Sequence, residues 1–482
     1  MDLAAWRTLV ERDLKGAPAS KLARRTDDGL TIQPLYTAED DALALPAARD
    51  RRPAPGWQRW TLHGTADAEA LAAILAEEAA AGVDGVLIDV ARCGDLDPHA
   101  LPVPPNLLIS FTNDPHEIDG HAWHLAGAGD AFEVACALAE GVDHLRRGAA
   151  IHGFTLAAGT RFFEGIAKLR AFRACWTRVL EASGLPFELR LRVRPAARQW
   201  TRYEAHLNLL RNTVAVVAGA LGGADQIVSM AHDGLGAGSP TGRRLARNTA
   251  ALLAEESHLD RVLDPAGGSH FLEALTAALA DEAWKRFQSI EARGGLAACR
   301  AEVAAEVAAT AAERTRRIAT RRQPIVGVSE FAVDGAPAAG PTDFERDAQP
   351  FETLRDLSHD LEVVHGTRPT VFLATVGARH AARTAFVTQL LAAGGLGVVV
   401  GAPAAFAGTG LPVACLCGHD EDYAEGALAA LEALAGAQLI AMAGAPGERE
   451  ATLRAAGVRR FIVLGGDAPE TLMALLEPFH GR

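Results

Sequence analysis

The stretch TVFLATVGARHAARTAFVTQLLAAGGLGVVVG, residues Thr370 to Gly401, contains the pattern of a complete strand–helix–strand unit. Its first apolar run, TVFLA, is followed by a polar loop around His380 and then by an amphipathic segment that ends at two glycines. Apolar runs that alternate with helical patterns predict a parallel α/β sheet. Ligands bind such sheets at the carboxyl ends of the strands, so the loop around His380 is a candidate site.

The same alternation continues on both sides of this unit. Five strand patterns, most of them followed by a helix, predict a flavodoxin-like doubly wound domain: TVFLATVG, GVVVGAP, LPVACLCG, QLIAMAGAP and RFIVLGGD. Eight apolar runs between about Gln58 and Pro265 predict a (β/α)8 TIM barrel: QRWTLHG, DGVLIDV, NLLISFT, HAWHLAG, AAIHGFTLA, FELRLRV, DQIVSMA and DRVLDP. A stretch rich in Pro, Gly and Asp separates the two sets and predicts a linker. We therefore expect an N-terminal extension at 1–57, a barrel with trailing helices at 58–322, a linker at 323–367 and the flavodoxin-like domain at 368–482.

Composition narrows the class of protein. A chain of 482 residues with 49% hydrophobic and 6% aromatic residues is typical of a helix-rich α/β protein with more than one domain. The net charge of -13, with no basic block, disfavours nucleic acid and anionic membranes as partners. No uncharged apolar run reaches about 18 residues, and the N-terminus lacks the apolar core of a signal peptide, so we expect a cytoplasmic protein. The six cysteines stand in mostly apolar contexts and are predicted to be buried thiols.

Several stretches resemble one enzyme family. The segments ARNTAALLAEESHLDRVLDPAGGSHFLEALT, EGIAKLRAFRACW and NLLRNTVAVVAGALGGAD, and the opening WRTLVERDLKG, resemble the adenosylcobalamin-dependent methylmalonyl-CoA mutases. Within that family they look most like the small, or beta, subunit. The resemblance covers nearly the whole chain but is weaker in the last domain. It implies an acyl-CoA mutase barrel followed by a degenerate cobalamin-binding domain.

The resemblance also implies which residues a cobalamin-binding member needs. The lower cobalt ligand of the family is the His of a D-x-H-x-x-G motif, in which the Asp orients the imidazole and the Gly admits the ligand. Laid over the loop after TVFLA, the motif places His380 on the ligand, Ala378 on the Asp and Arg383 on the Gly. We therefore expect this chain to bind no adenosylcobalamin.

The barrel positions implied by the resemblance are also changed. The Q-T-S-G stretch of catalytic subunits, whose Gln holds the substrate, matches RPAA at 194–197, so Arg194 stands in place of the Gln. Val228 takes the place of the His that contacts the substrate carbonyl, and valine cannot donate a hydrogen bond to a thioester. Where the family has an active-site Tyr, Trp60 is the nearest aromatic residue. These replacements predict that the chain has no catalytic residues of its own.

The resulting hypothesis is a non-catalytic small subunit of a heteromeric methylmalonyl-CoA mutase. It implies a heterodimer with a homologous large subunit, which would carry adenosylcobalamin and interconvert methylmalonyl-CoA and succinyl-CoA. Two alternatives stay open: an active cobalamin-dependent acyl-CoA mutase with His380 on the cobalt, and a regulatory binding protein of the same fold. An apolar stripe at helical spacing near the N-terminus consists of Trp6, Leu9, Val10 and Leu14. It predicts a surface that packs on the partner or on the chain's own barrel.

Three further motifs have structural interpretations. HEIDGHAWH, residues 116–124, lacks the spacing of a metal site and predicts a polar loop. GLGAGSPTG, residues 234–242, is similar to a phosphate-binding loop but follows no Rossmann strand, so it predicts a flexible loop. DPAGGS, residues 264–269, predicts a turn whose serine caps a helix that begins at about Phe271.

Overall fold

The computed structural model of this protein describes residues 3–40, 56–186, 189–236, 238–340 and 342–480. The chain divides into two compact units. Unit 1 comprises residues 1–200, 206–312 and 341–345, and unit 2 comprises residues 201–205, 313–340 and 346–482. Part of the predicted N-terminal extension, residues 41–55, lies outside the described ranges.

The secondary structure of the described residues alternates between strands and helices along most of the chain. The strands are β1 Arg24–Arg25, β2 Thr31–Ile32, β3 Gln58–His63, β4 Gly85–Ile88, β5 Leu108–Phe111, β6 Glu117–Asp119, β7 Gly153–Ala158, β8 Leu191–Pro195, β9 Gln226–Ser229, β10 Thr370–Val376, β11 Gly397–Gly401, β12 Val413–Gly418, β13 Leu439–Ala443 and β14 Val458–Ile462. The α-helices are α1 Leu3–Asp13, α2 Ala68–Ala80, α3 Gly120–Ala126, α4 Asp130–Arg146, α5 Phe162–Ser183, α6 Leu207–Leu221, α7 Pro240–Glu255, α8 His270–Ala292, α9 Leu296–Ala319, α10 Gln349–His365, α11 Ala381–Ala393, α12 Asp420–Ala433, α13 Glu450–Ala455 and α14 Ala468–Leu476.

Unit 1 is built around a curled parallel sheet of seven strands. Their order is β5-β4-β3-β9-β8-β7-β6, and helices α2 and α4 to α6 connect successive strands of this sheet. Parallel strands with helical crossovers curl into a barrel-like layer, so the TIM-like fold class is confirmed.

The predicted count of eight barrel strands needs correction. The run HAWHLAG forms helix α3, because Gly120, Trp123 and His124 are buried at the three- to four-residue spacing of a helix. The strand in this region is β6, just upstream. The run DRVLDP contains only a short 3-10 turn, Leu259–Arg261, and Pro265 lacks the backbone N–H that a central strand requires.

The main core of unit 1 lies between the sheet and helices α4, α5 and α8. Phe154 on β7 meets the edge of the Trp176 ring at a centroid distance of 4.6 Å. Gly141 on α4 allows this approach, since a Cβ there would lie 2.7 Å from the Trp176 ring. The six cysteines of the chain are buried free thiols, as predicted. None of the described helices combines the length and apolar character needed to cross a membrane.

Unit 2 contains a parallel sheet of five strands in the order β11-β10-β12-β13-β14. Counted within the unit this is the order 2-1-3-4-5 of flavodoxin-like folds, which confirms the predicted class. Val371 and Leu373 of β10 enter the core on one face, while Phe372 and Ala374 enter the core on the other. Both faces of the sheet are covered, and the sequence of β10 is therefore a continuous apolar run. Helix α10 lies within residues 323–367, the segment predicted as a linker.

Candidate functional site

The loop of unit 2 that carries the degenerate cobalt-ligand position, residues 377–380, connects β10 to α11 at the carboxyl edge of the sheet. His380 immediately precedes α11 and is half-buried, and its Nδ1 lies 3.3 Å from Oγ1 of Thr384. The same hydroxyl donates a hydrogen bond to the backbone carbonyl of His380 at 3.1 Å. Ala378 is exposed and offers no acceptor for the imidazole. The contacts of His380 are therefore local to the first turn of α11.

Arg383, at the family's glycine position, extends across this edge of the sheet. Its Nη1 donates to the carbonyl of Gly418 at 2.6 Å, and its Nη2 donates to Oδ1 of Asp420 at 2.6 Å. The guanidinium carbon lies 5.1 Å from the centroid of the Tyr423 ring. A Cβ placed on Gly444 would lie 2.8 Å from that carbon. The guanidinium therefore packs against the backbone that follows β13 and bonds to the end of β12.

A second arginine joins the loop after β10 to the start of α12. The two terminal nitrogens of Arg379 lie 2.6 Å from Oε2 of Glu421 and 3.1 Å from Oδ1 of Asp422. The Asp422 carboxyl also packs on Gly377, where any Cβ would overlap it and where φ is +70°. Hydrogen bonds from the arginines lower the pKa of Asp422 and Asp420 below the usual range. The loops after β10 and β12 are thus held together by charged hydrogen bonds.

The interior of the barrel is crossed by a polar network at the level of Arg192. Its Nε donates to Oε1 of Gln226 at 2.9 Å, and its Nη1 lies 3.4 Å from Oε1 of Glu117. Its guanidinium lies 4.7 Å from the centroid of the Trp60 ring, and Gln226 donates in turn to Gln58 at 2.8 Å. Arg192 is 1% exposed and Trp60 is 3% exposed. Trp60 and Arg192 thus project into the barrel at this level, where they line a cavity of about 510 Å³ together with Glu117 and Gln226.

Val228, at the family's substrate-histidine position, belongs to an apolar cluster inside the barrel. Its neighbours in this cluster are Trp60, Leu62, Leu87, Trp200 and Met230. Arg194, at the family's glutamine position, is buried at the end of β8, and its Nε has no hydrogen-bond partner. The structure thus places Val228 in an apolar cluster with Trp60, but it places Arg194 outside that cluster.

The sequence analysis missed a buried ionic cluster at the start of α4. The Nζ atom of Lys168 lies 2.8 Å from Oδ1 of Asp130 and 2.7 Å from Oε2 of Glu133. The other oxygen of Glu133 accepts a hydrogen bond from the backbone N–H of Ala157 at 2.6 Å, and His124 Nδ1 lies 3.4 Å from Oε2. Burial raises the pKa of Glu133 to about 7. The available signal was a lysine within the otherwise apolar run IAKL.

The histidine-rich motif HEIDGHAWH is not the loop that was predicted. Its residues form β6 and α3, and the rings of His121 and His124 are buried with their centroids 6.3 Å apart. Burial lowers the pKa of His121 well below the usual value. Throughout the described ranges, no group of three or more His, Cys, Asp or Glu side chains is arranged to hold a metal ion.

The two glycine-containing motifs are ordered by side chains of the chain itself. In GLGAGSPTG, whose Ala237 lies outside the described residues, Asp233 accepts a hydrogen bond from the N–H of Ser239 at 2.9 Å. The Asp233 carboxyl fills the space beside Gly242 at the start of α7. In DPAGGS, Ser269 accepts from the N–H of Leu272 and caps α8, as predicted.

Comparison with known proteins places this geometry in a family. The family model described as methylmalonyl-CoA mutase matches residues 113–359, about half of the chain. The chain belongs to the methylmalonyl-CoA mutase family. That match includes strands β6 to β9 of the barrel and continues to α10 in unit 2.

The similar family members are mostly named as small subunits. The methylmalonyl-CoA mutase small subunit of Streptomyces virginiae is 40% identical over 75% of this chain and 63% of its own length. That of Propionibacterium freudenreichii subsp. shermanii is 36% identical over 68% of this chain and 57% of its own length. The large subunit of Streptomyces virginiae is 34% identical, but over only 45% of this chain and 32% of its own length. The chain thus spans less than two thirds of the length of these relatives.

Proposed function

We propose that this chain is the non-catalytic small subunit of a heteromeric methylmalonyl-CoA mutase and acts in the cytoplasm. In this proposal a homologous large subunit carries adenosylcobalamin and interconverts methylmalonyl-CoA and succinyl-CoA, while this chain stabilises the complex. The observation that carries the proposal is that Arg383 of the chain itself occupies the carboxyl edge of the sheet in unit 2, where a catalytic member needs space for its cofactor. The likeness to small subunits, which extends over most of the chain, supports it.

The residues of unit 2 do not fit a corrin. A flavodoxin-like sheet binds ligands between its first and third strands, here β10 and β12. Arg379 and Asp422 join the loops that flank this position, and Arg383 lies against Gly444. His380 has no carboxylate beside it to orient the imidazole, since Ala378 stands at that position. Both the space and the partner of a cobalt ligand are therefore absent among these residues.

The residues of the barrel do not fit an acyl-CoA substrate. Catalysis on a thioester requires a hydrogen-bond donor at the carbonyl oxygen. Val228 offers none and packs among apolar side chains, including Trp60. Below this cluster the guanidinium of Arg192 is held inside the barrel by Glu117 and Gln226.

The N-terminal helix α1 supports a role in assembly. Its predicted apolar stripe is only partly covered, since Trp6, Val10 and Leu14 are half-buried and Leu9 is 38% exposed. The stripe therefore keeps apolar surface that a partner can cover, and packing on the chain's own barrel stays the alternative prediction. An apolar stripe of this kind gains free energy when a partner covers it. We assign that partner role to the homologous large subunit.

Co-expression with a longer homologue that retains Q-T-S-G and D-x-H-x-x-G tests the proposal. The two chains are expected to elute together with mutase activity, and this chain alone is expected to show none. Trp6→Glu/Val10→Glu should weaken the complex without unfolding unit 1, because these side chains are not buried. Arg7→Glu on the same helix, which leaves the stripe intact, is the matched control. An isolated chain that turns over methylmalonyl-CoA, or a large subunit indifferent to this chain, would contradict the proposal.

The two alternative functions give different results in the same preparation. An active mutase with His380 on the cobalt would retain the visible absorbance of a corrin after purification of the isolated chain. A regulatory binding protein would associate with the large subunit reversibly and only in response to a nucleotide or corrin. The closed contacts around Arg379 and Arg383 favour neither alternative.

A further inference from the structure

We propose that Arg383 fills the crevice of unit 2 that the loops after β10, β12 and β13 form. Its guanidinium takes the space and the acceptors that a bound ligand would otherwise use. The inference rests on the proposed function only for the class of ligand that is excluded. It makes a separate claim about the present chain: the crevice is stabilised by being filled, and removal of the guanidinium leaves a site for a small planar cation.

The first argument is the position of the side chain. Arg383 leaves the first turn of α11 and reaches the end of β12 and the loop after β13, both at the carboxyl edge of the sheet. At Gly444, where φ is +116°, even a methyl group would lie within 3.0 Å of both terminal nitrogens. The guanidinium is thus in contact with bare backbone, at a place where open α/β sheets normally admit ligands.

The crevice also offers a guanidinium two hydrogen-bond acceptors and an aromatic face. The Gly418 carbonyl and the Asp420 carboxylate each accept one hydrogen bond at 2.6 Å. The face of Tyr423 provides a cation–π contact at 5.1 Å. Tyr423 itself is fixed, because its hydroxyl lies 2.9 Å from the carbonyls of Leu416 and Ala443. A planar cation with several donors fits these groups, and an anion does not.

A further argument concerns charge. Three acidic residues, Asp420, Glu421 and Asp422, begin α12, where they complement the positive end of the helix dipole. Arg379 and Arg383 bind all three of these carboxylates. Removing Arg383 leaves Asp420 without this cation, whereas Arg379 still holds the other two. The acidic first turn of α12 therefore favours refilling of the vacated site by a cation.

The experiment compares Arg383→Ala with Arg454→Ala in the full chain by differential scanning calorimetry. Arg454 is a matched control, since it is also helical, bonds a carboxylate at 2.8 Å and is exposed. Arg383→Ala is expected to lower the Tm of unit 2 by about 3–8 °C, because charge-assisted hydrogen bonds are lost, and Arg454→Ala by less than about 2 °C. Methylguanidinium chloride at 10–50 mM should then recover at least about a third of the lost Tm in Arg383→Ala only, while NaCl at equal ionic strength should not.

Other results of these measurements would overturn the inference. A loss of Tm no larger than that of Arg454→Ala, or recovery that NaCl reproduces, overturns the inference. A loss that methylguanidinium does not recover also overturns it, because Arg383 is then an ordinary structural contact. If Arg383→Ala does not fold, Arg383→Lys keeps the charge but cannot bridge both acceptors, and a smaller loss of Tm with weaker recovery is expected. These measurements use the chain alone, so they do not depend on whether the large subunit binds it.

Discussion

Replacement of Lys168 by methionine tests how unit 1 tolerates its buried ionic cluster. Lys168 is 1% exposed, and Nζ bonds Asp130 and Glu133 at 2.8 and 2.7 Å. Methionine retains most of the apolar stem and removes the cation. Removal of one partner from a buried pair costs about 3–5 kcal/mol, because the remaining charge is uncompensated. We expect Lys168→Met to lose this amount of free energy of unfolding at pH 8.

The free energy of unfolding that Lys168→Met loses should increase with pH. Burial raises the pKa of Glu133 to about 7 from an ordinary value near 4.5, so the folded state binds this proton more tightly than the unfolded state. The stabilising effect of that proton is present below about pH 4.5 and is lost as the pH rises through about 7. Without Lys168 the pKa of Glu133 rises further, which increases the deficit at pH 8, where the unfolded state releases this proton. The deficit should therefore be smaller at pH 5.5 than at pH 8.

Urea unfolding followed by tryptophan fluorescence is the suitable assay. All seven tryptophans of the chain lie in the segments of unit 1, so the signal reports that unit. Lys285→Met is the matched control, because Lys285 is exposed on α8, and its effect should stay within about 0.5 kcal/mol. A loss below about 1 kcal/mol for Lys168→Met, or a loss that grows as the pH falls, would refute the reasoning.

Three further substitutions have expected magnitudes. Tyr423→Phe should lower the stability of unit 2 by about 1–3 kcal/mol in calorimetry, because the hydroxyl accepts from the N–H of Gly418 and lies 2.9 Å from two buried carbonyls; an unchanged Tm would contradict this. Trp60→Ala should cost unit 1 about 3–5 kcal/mol in urea unfolding, since it leaves a cavity inside the barrel, and a loss under about 1 kcal/mol would show that the bore is not packed. Ser269→Ala should cost about 0.5–2 kcal/mol by loss of the α8 cap, with Ser269→Asp as a control that keeps the cap.

The sequence predicted those parts of the fold that depend on local pattern. The five strands of unit 2 were recognisable because both faces of the sheet are buried, as for Val371 and Phe372. HAWHLAG was wrongly predicted as a strand, because seven residues are too few to distinguish the hydrophobic period of a helix from that of a strand. Helix α10 was missed because Pro350 and the acidic residues around it suggest a linker, although proline is tolerated in a first helical turn.

The candidate site was predictable only at the level of residue identity. The replacement of a motif glycine by Arg383 is visible in the sequence, but its partners Gly418 and Asp420 lie 35 and 37 positions away. Only the sheet order brings these loops to one edge. The pairing of Lys168 with Asp130 and Glu133 could not be predicted for the same reason. It joins two different helices, and a contact between helices produces no periodic pattern in the sequence.

The corrin content of the purified chains shows whether this chain binds the cofactor. Adenosylcobalamin is added in excess to the isolated chain, to the large homologue and to their complex, and bound corrin is measured by visible absorbance after gel filtration. We expect no corrin on the isolated chain and one per large subunit in the complex, unchanged when this chain carries His380→Ala. Retention of about one corrin by the isolated chain, lost on His380→Ala, would contradict this expectation.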